Sequence, residues 1–525
     1  MPANVYLCGP PGAGKSTLAP LLASLRGHSS VDLDAFVETE AGASIVTLFE
    51  REGEPAFRAR ERRAIAELTK RDGIVVALGG GTLEDAANRR ALAGTGTLVF
   101  LDASLETCAE RSARDGSTRP LLKRRGALEG LYAARRPGYL SAAVRVCVDG
   151  RTPAEIAGAV EAAMRQERVV RVATARPYDV VIGPSAVAEM PERAAPRAGG
   201  RVLVVSDARV DVLGERVARI YEAAGFRATV LRLQADEALK SLEALGTLYA
   251  RFAEAEIDRR SLVVGVGGGT IGDAVGFAAA TFARGIPYAA VPTTLLAAVD
   301  AAIGGKTALN LPAGKNLVGT VTQPVTVAVE PHAFRTLDSR EVVSGYGEML
   351  KYGLALDAPL YASLRANETA LLDDPAAGHE AIARCVELKA RIVERDEYDR
   401  SGLRAVLNFG HTVGHAIEKV AGYGRLRHGE AVILGMRAAI ALSSARGLLA
   451  EAAWRRIDEH LAGLPLPALW RELDGDAVAA ATQHDKKRHA RGTRYVLLED
   501  IGSARLDDGV ELPAVRRALE GIGMR

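Results

Sequence analysis

The sequence predicts an α/β protein in three parts. A phosphate-loop (P-loop) domain, a parallel sheet flanked by helices, covers 1–168; an α/β nucleotide-binding domain covers 169–330; a mostly α-helical domain covers 331–525. Three observations carry this. The chain opens with an apolar strand, a glycine-rich loop ending in Lys-Ser-Thr, and a helical pattern. Strand and helix patterns then alternate from Tyr178 to a glycine triplet at Gly267-Gly268-Gly269. Beyond about residue 331 the strand patterns fade and helical periodicity dominates.

The length of 525 residues suits about three domains. Charges nearly cancel, with 67 basic and 65 acidic residues for a net +2. That balance argues against a nucleic-acid or membrane-surface partner for the whole chain and leaves local anion sites open. Cys8, Cys108, Cys147 and Cys385 form no CxxC pair and read as reduced thiols of a cytoplasmic protein. No signal-peptide pattern precedes the first strand, and no uninterrupted apolar run reaches membrane-spanning length. Small molecules are the expected partners.

In chain order, the strand Asn4 to Cys8 leads into GPPGAGKST at Gly9 to Thr17. Gly12, Ala13 and Gly14 let backbone N–H groups approach phosphate oxygens, with Thr17 closing the motif. Lys15 can bridge the terminal phosphates, and the Ser16 hydroxyl can hold Mg²⁺. The next strand carries Asp32 and Asp34, which at a spacing of two point the same way. Phe57, Arg58 and Glu61 fall on a helix, and the strand GIVVALGGGT ends in Gly79-Gly80-Gly81. Arg119 lies in a polar loop between helical stretches, where a closing lid would bring an arginine over a transferring phosphate. Arg135 precedes Pro137 and Tyr139.

These motifs, in this order and at this spacing, resemble shikimate kinase over residues 1 to about 165. The resemblance implies ATP and Mg²⁺ at Gly12 to Thr17 and Arg111 near the adenine. It places the shikimate hydroxyls and carboxylate on Asp34, Arg58, Gly80 and Arg135. Asp32 falls beside the reacting hydroxyl, and Lys15 and Arg119 at the transferred phosphoryl group. A carboxylate substrate suits arginine, which binds it bidentately.

Residues 152–172 read as a helix running into a new strand. The expected alternation is helix 210–225, strand 226–233, helix 240–256 and strand 261–266, then the glycine triplet with Asp273. A bare triplet after a strand points to a dinucleotide pyrophosphate. The segment that follows concentrates anion-binding groups: Arg284, Thr293, Thr294, Asp300, Lys306, Lys315 and Asn316. Lys306 and Lys315 read as lying in Gly-flanked loops. Glu348 and Lys351 share a helical face, Lys389 lies on a later helix, and Lys486 sits in a basic loop before a strand. Arg404 and Asn408 lead into His411, His415 and Glu418, which share a face if the segment is helical. Two imidazoles one turn apart can share a metal, with a third ligand from a later loop such as that of His428.

Residues from about 175 to 525 resemble 3-dehydroquinate synthase. The motifs are Glu237 and Lys240, the triplet with Asp273, Phe-x-Arg-Gly, Pro-Thr-Thr-Leu, Gly-Gly-Lys-Thr, Gly-Lys-Asn, Gly-x-x-Glu-x-x-Lys, Arg-x-x-x-Asn-x-x-His-x-x-x-His and His-Gly-Glu. The resemblance implies NAD on Gly267, Gly268 and Gly269, with Asp207, Glu237, Lys240, Asp273, Thr293, Thr294, Lys306 and Lys315 around it. It implies Zn²⁺, or Co²⁺, on Glu348, His411 and His428, with His415 turned toward substrate instead. Lys306, Lys351, Lys389, Arg404, Asn408 and Lys486 would position substrate, and Arg284, Lys315 and Asn316 its phosphate. A neighbouring subunit's contribution of Arg284 would make the synthase half a homodimer. Ala297-Ala298, Ala301-Ala302 and Glu330 depart from the usual pattern, and Asp399 is the favoured acid in DEYDRSGLR. The implied enzyme couples two activities of aromatic amino-acid biosynthesis. The rival is a metal- and NAD-dependent polyol dehydrogenase fused to a nucleotide-binding regulatory module or another small-molecule kinase.

Overall fold

Every residue of the strand Asn4–Cys8 (β1) is buried, as a near-continuous apolar run demands of a parallel strand covered on both faces. With Ser29–Asp32 (β2), Ile74–Ala77 (β3), Gly96–Asp102 (β4) and Val144–Cys147 (β5) it forms a parallel sheet in the order β2-β3-β1-β4-β5. Alternate residues of β1 feed opposite cores. Val5 and Leu7 join Leu18, Leu22 and Val160, whereas Tyr6 and Cys8 join Phe57, Ile65 and Tyr139. The helix Lys15–Arg26 begins at the carboxyl end of β1. One expectation is corrected here. Asp32 ends β2, but Asp34 does not continue the strand: it lies in the first turn of the helix Leu33–Ala41, whose N-terminus the Asp32 side chain caps. The capping bonds stabilise the chain reversal at that point.

The structure, a computed structural model, describes residues 4–93, 95–114, 127–142, 144–164, 167–483 and 493–524. The chain divides into two compact units. One is Met1–Glu167 with Gly183–Pro191 and Arg209–Val230; the other is Arg168–Ile182, Glu192–Ala208 and Leu231–Arg525.

The second sheet comprises Arg168–Val172 (β6), Tyr178–Ile182 (β7), Arg201–Asp207 (β8), Arg227–Leu233 (β9), Leu262–Gly267 (β10), Tyr288–Pro292 (β11) and Thr326–Val329 (β14). Its order is β6-β7-β14-β11-β10-β8-β9. Pairing is parallel from β7 through β8, and β6 runs antiparallel to β7. The helix Gly269–Thr281 rises directly from β10. Lys306 and Lys315 are not loop residues: they lie on an antiparallel hairpin, Lys306–Leu311 (β12) with Gly314–Val321 (β13). The flanking glycines shape the turn and the approach to the hairpin; they do not interrupt it.

From Ser339 helices dominate, broken among the described residues by one hairpin, Tyr495–Asp500 (β15) with Ser503–Asp507 (β16). The helices Ser339–Leu356, His411–Ala421 and His428–Ala445 cross at glycines. A Cβ on Gly429 would stand 1.9 Å from Ser344 O, and one on Gly435 1.9 Å from Gly410 O. Only glycine allows backbones so close. Among the described residues no helix is long and apolar enough to cross a membrane.

Candidate active sites

In the first unit Gly14, at φ 93°, turns the chain into the helix that starts at Lys15. Such a helix N-terminus is an anion site. Lys15 Nζ donates to Gly9 O at 2.8 Å and Pro10 O at 3.0 Å, so it lies over the loop of Gly12, Ala13 and Gly14. The Ser16 hydroxyl donates to Asp32 Oδ2 at 2.6 Å, and Asp32 Oδ1 accepts from Asp34 N at 3.0 Å. Arg111 Nη1 is 3.5 Å from Ala13 O. The loop, Asp32 and Arg111 thus share one place.

The glycine triplet 79–81 lies beside it, closely hemmed. A Cβ on Gly79 would stand 2.9 Å from Asp34 Oδ1, and one on Gly80 3.4 Å from Arg135 Nη1. A Cβ on Gly81 would stand 3.0 Å from Arg135 Nη2. Arg58 donates to the buried Glu61 at 2.9 Å, and Thr82 donates to the same carboxylate at 2.6 Å. Two guanidiniums, a carboxylate and glycine backbone therefore surround one small space beside the P-loop.

The second unit gathers two constellations. At the carboxyl ends of adjacent strands, Asp207 ends β8 and Gly267 ends β10, with Ser206 paired to Val266. This is where open α/β sheets bind ligands. Thr293 N donates to Gly267 O at 3.0 Å, and a Cβ on Gly268 would meet the Thr294 methyl at 3.2 Å. Lys240 Nζ donates to Asp273 at 2.6 Å and also to Asn316. Glu237 accepts from Asn310 at 2.7 Å and lies 3.8 Å from Lys315 Nζ, which sits over the Tyr423 ring. Burial pushes the Asp273 carboxyl up, against the pull of Lys240. Arg284 stands exposed in a turn where Ala283 and Arg284 both have positive φ, and no contact among the described residues joins it to Lys315 or Asn316.

The second constellation lies where the three glycine-crossed helices meet. Glu348 is fully buried, and neither carboxylate oxygen accepts a well-formed hydrogen bond. His411 Nε2 is 3.4 Å and His428 Nε2 3.5 Å from Glu348 Oε1; Lys351 Nζ contacts Oε2. His415 is close too: one donor atom each of His411, His415 and His428 lie within 4.8 Å of one another. Burial opposes ionisation of Glu348, but the Lys351 ammonium holds it well below the carboxylate range. Burial drives the His411 imidazole down to about 3, leaving a neutral nitrogen for ligation. His428 goes the other way, up to about 10, because Glu348 and Glu418 outweigh its burial. A buried carboxylate whose Oε1 faces two imidazole nitrogens is a donor set that fits a zinc-like cation. Glu418 accepts from His428 Nδ1 at 3.1 Å, the kind of outer partner that orients a ligating imidazole.

Around this centre Asp300 is held by Lys389 Nζ at 2.7 Å, Lys351 Nζ at 3.8 Å and the Tyr352 hydroxyl at 3.0 Å. Burial opposes its charge, but the two lysines keep it well below its ordinary value. Asn408, His411 and His415 line a cleft of about 440 Å³ with Asp399, Arg400, Thr412 and Arg494. Lys306 Nζ reaches Asp399 at 2.6 Å. Arg404 is buried nearby with its Nε unpaired. Two of the expected residues, Arg119 and Lys486, lie outside the described residues. Sequence reasoning passed over Tyr352 and Arg494, and it named Asp300 only as one polar residue among several. An isolated tyrosine or arginine carries no spacing signal, and only the fold shows which charges it meets.

Residues 11–165 match the family model described as shikimate kinase. Residues 230–344 and 345–488 match those described as the N-terminal and C-terminal parts of 3-dehydroquinate synthase. A 3-dehydroquinate synthase of Pelobacter propionicus is 41% identical over 328 residues, covering 62% of this chain and 91% of that protein. One of Paracoccus denitrificans is 41% identical over 353 residues, covering 66% and 96%. Among solved structures, the 2-epi-5-epi-valiolone synthase ValA of Streptomyces hygroscopicus, with NAD⁺ and Zn²⁺ bound, is 29% identical. It superposes with a TM-score of 0.60 over 66% of this chain and 96% of its own. A 2-deoxy-scyllo-inosose synthase complexed with carbaglucose-6-phosphate, NAD⁺ and Co²⁺ is 25% identical, with a TM-score of 0.61 over 67% and 100%.

Proposed function

We propose residue roles for a chain that belongs to the 3-dehydroquinate synthase family and carries a shikimate kinase domain ahead of the synthase. It is a bifunctional enzyme of the shikimate pathway. One activity phosphorylates shikimate to shikimate 3-phosphate with ATP. The other converts 3-deoxy-D-arabino-heptulosonate 7-phosphate to 3-dehydroquinate and phosphate. Working boundaries of 1–168, 169–330 and 331–525 separate the kinase, the NAD-binding domain and the helical domain.

In the synthase, Glu348, His411 and His428 would hold Zn²⁺ or Co²⁺ as a Lewis acid, and Gly267 to Gly269 with Asp207 and Asp273 would hold NAD⁺ as a reversible hydride acceptor. The observation that carries this reading is the convergence of the fully buried Glu348 carboxylate, whose Oε2 meets Lys351, with the two imidazoles that face its Oε1. The chain's own groups do the rest. His415 and Asn408 line the cleft, Lys306 reaches Asp399 at its wall, and the three orient substrate hydroxyls. Lys351, Lys389 and Arg404 supply buried positive charge for its carboxylate and hydroxylates. Lys315 and Asn316 bind the phosphate, joined by Arg284 across a homodimer. Lys486 completes the set as a further positive charge for the substrate.

In the kinase, Gly12 to Thr17 cradle the ATP phosphates with Arg111 at the adenine, and Ser16 holds Mg²⁺. Asp32 sits where the reacting hydroxyl arrives and takes its proton. Asp34 binds shikimate hydroxyls, Arg58 and Arg135 its carboxylate, and Gly80 offers backbone. Lys15 and Arg119 balance charge on the transferred group. Cysteines that form no disulfide and small-molecule substrates suit a cytoplasmic enzyme.

The test supplies heptulosonate 7-phosphate and NAD⁺ to the purified chain and follows free phosphate. Release should vanish on chelation, return with Zn²⁺ and leave no net NADH. Net NADH would instead establish the dehydrogenase.

A further inference from the structure

Arg58 and Arg135 come from different helices, Ile45–Leu68 and Ala127–Leu140, and converge on one carboxylate already present in the chain. Glu84 Oε2 accepts from Arg135 Nε at 3.1 Å and lies 3.6 Å from Arg58 Nη2. Glu84 ends the short turn Thr82–Glu84 that follows the glycine triplet. The Gly81 backbone lies flush against the cluster: a Cβ there would stand 2.5 Å from Glu84 Oε2 and from Arg58 Nη2. The Arg135 side chain is only 8% exposed, whereas that of Glu84 is 43% exposed. A buried guanidinium needs a counter-ion. Arg58 has others in Glu61 and Glu54, but Arg135 meets Glu84.

We propose that Glu84 is a resident competitor for the substrate carboxylate: its side chain occupies the Arg58–Arg135 cradle and must swing into solvent before shikimate binds, so Glu84 sets the affinity of the kinase for its acid substrate. This rests on the reading that Arg58 and Arg135 take that carboxylate. The exchange needs no backbone movement, because Glu84 is half in solvent and its stem is flexible. Two carboxylates cannot share the cradle, since like charges at such separation repel. The bound state therefore exchanges one carboxylate for another, and the net gain is the difference between them.

The test measures shikimate and ATP kinetics of the whole chain with Glu84→Gln. The KM for shikimate should fall about three- to tenfold, the size of one partly exposed ion pair, with kcat and the KM for ATP unchanged. Glu84→Ala should behave alike. Glu54→Gln removes a carboxylate from Arg58 but leaves Arg135 paired, and it should lower the KM less. An unchanged or raised KM in both Glu84 variants overturns the proposal, because Glu84 would then serve only to hold the arginines. An equal fall with Glu54→Gln also overturns it, since a general field would explain both. The parent reading fails separately. If Arg135→Lys leaves the shikimate KM where it was, or wild type consumes no ATP in response to shikimate, the cradle does not bind that carboxylate.

Discussion

Replacing Gly435 by alanine tests whether helix contact, rather than the ligands alone, sets the metal centre. Gly435 lies on the His428 helix where it crosses Gly410, the residue immediately before His411. The new Cβ would stand 1.9 Å from Gly410 O and 2.7 Å from Gly414 N. A carbon and a carbonyl oxygen rest at about 3.3 Å, so the helices must part by about 1.4 Å locally. Overpacking of this kind costs about 1–3 kcal/mol, which the fold can bear. The same displacement moves His411 away from Glu348 and His428, and a misplacement of about 1 Å in such a site costs about 10²-fold in rate. Gly435→Ala should therefore fold, keep its shikimate-dependent ATP consumption and lose about 10²-fold in phosphate release. Competition with a chelator should show Zn²⁺ held at least about tenfold more weakly, as when the groups that orient metal ligands are disturbed. Wild-type release and wild-type zinc retention in Gly435→Ala would refute the reasoning, because the helices would then slide without consequence.

Glu348→Gln keeps the shape of the buried side chain but removes its charge, leaving the Lys351 ammonium facing a neutral amide. Zinc retention should be lost and synthase activity abolished even with Zn²⁺ in excess; chelator competition and phosphate release check both. Thiol labelling gives the last prediction. Cys8, Cys108 and Cys385 are buried and Cys147 is exposed, and burial pushes the Cys108 thiol up to about 11. At pH 8 a thiol reagent should modify one cysteine rapidly, and Cys147→Ser should remove that fast phase.

Parts of this protein are written locally and can be read directly. The P-loop is one: strand, glycines, Lys15, Ser16 and helix are contiguous, and the physics of cradling a phosphate acts over nine residues. The alternation of strands and helices up to β10 is another, because burial on two faces leaves an apolar run in β8 and β10. The helical phase of His411, His415 and Glu418 follows from spacing alone.

Local patterns mislead where two conformations share one pattern. Alternating Asp32 and Asp34 look like one strand face, yet Asp32 caps the helix that contains Asp34; the capping bonds to Asp34 N and Ala35 N decide it. Glycines around Lys306 and Lys315 look like loops, yet the pairing of β12 with β13 makes a hairpin. In both cases the deciding hydrogen bonds are made by backbone that the residue pattern does not show.

What the sequence by itself determined is the set of chemical groups, the phosphate loop and the order of elements, since these depend on contacts between near neighbours. Only the tertiary structure brings Glu348 to histidines more than sixty residues away, puts Asp300 between Lys351 and Lys389, and sets Glu84 in the grasp of Arg58 and Arg135. These are encounters of charges from distant parts of the chain. Their strength depends on burial and on separations of a few ångströms, and both exist only once the helices have packed.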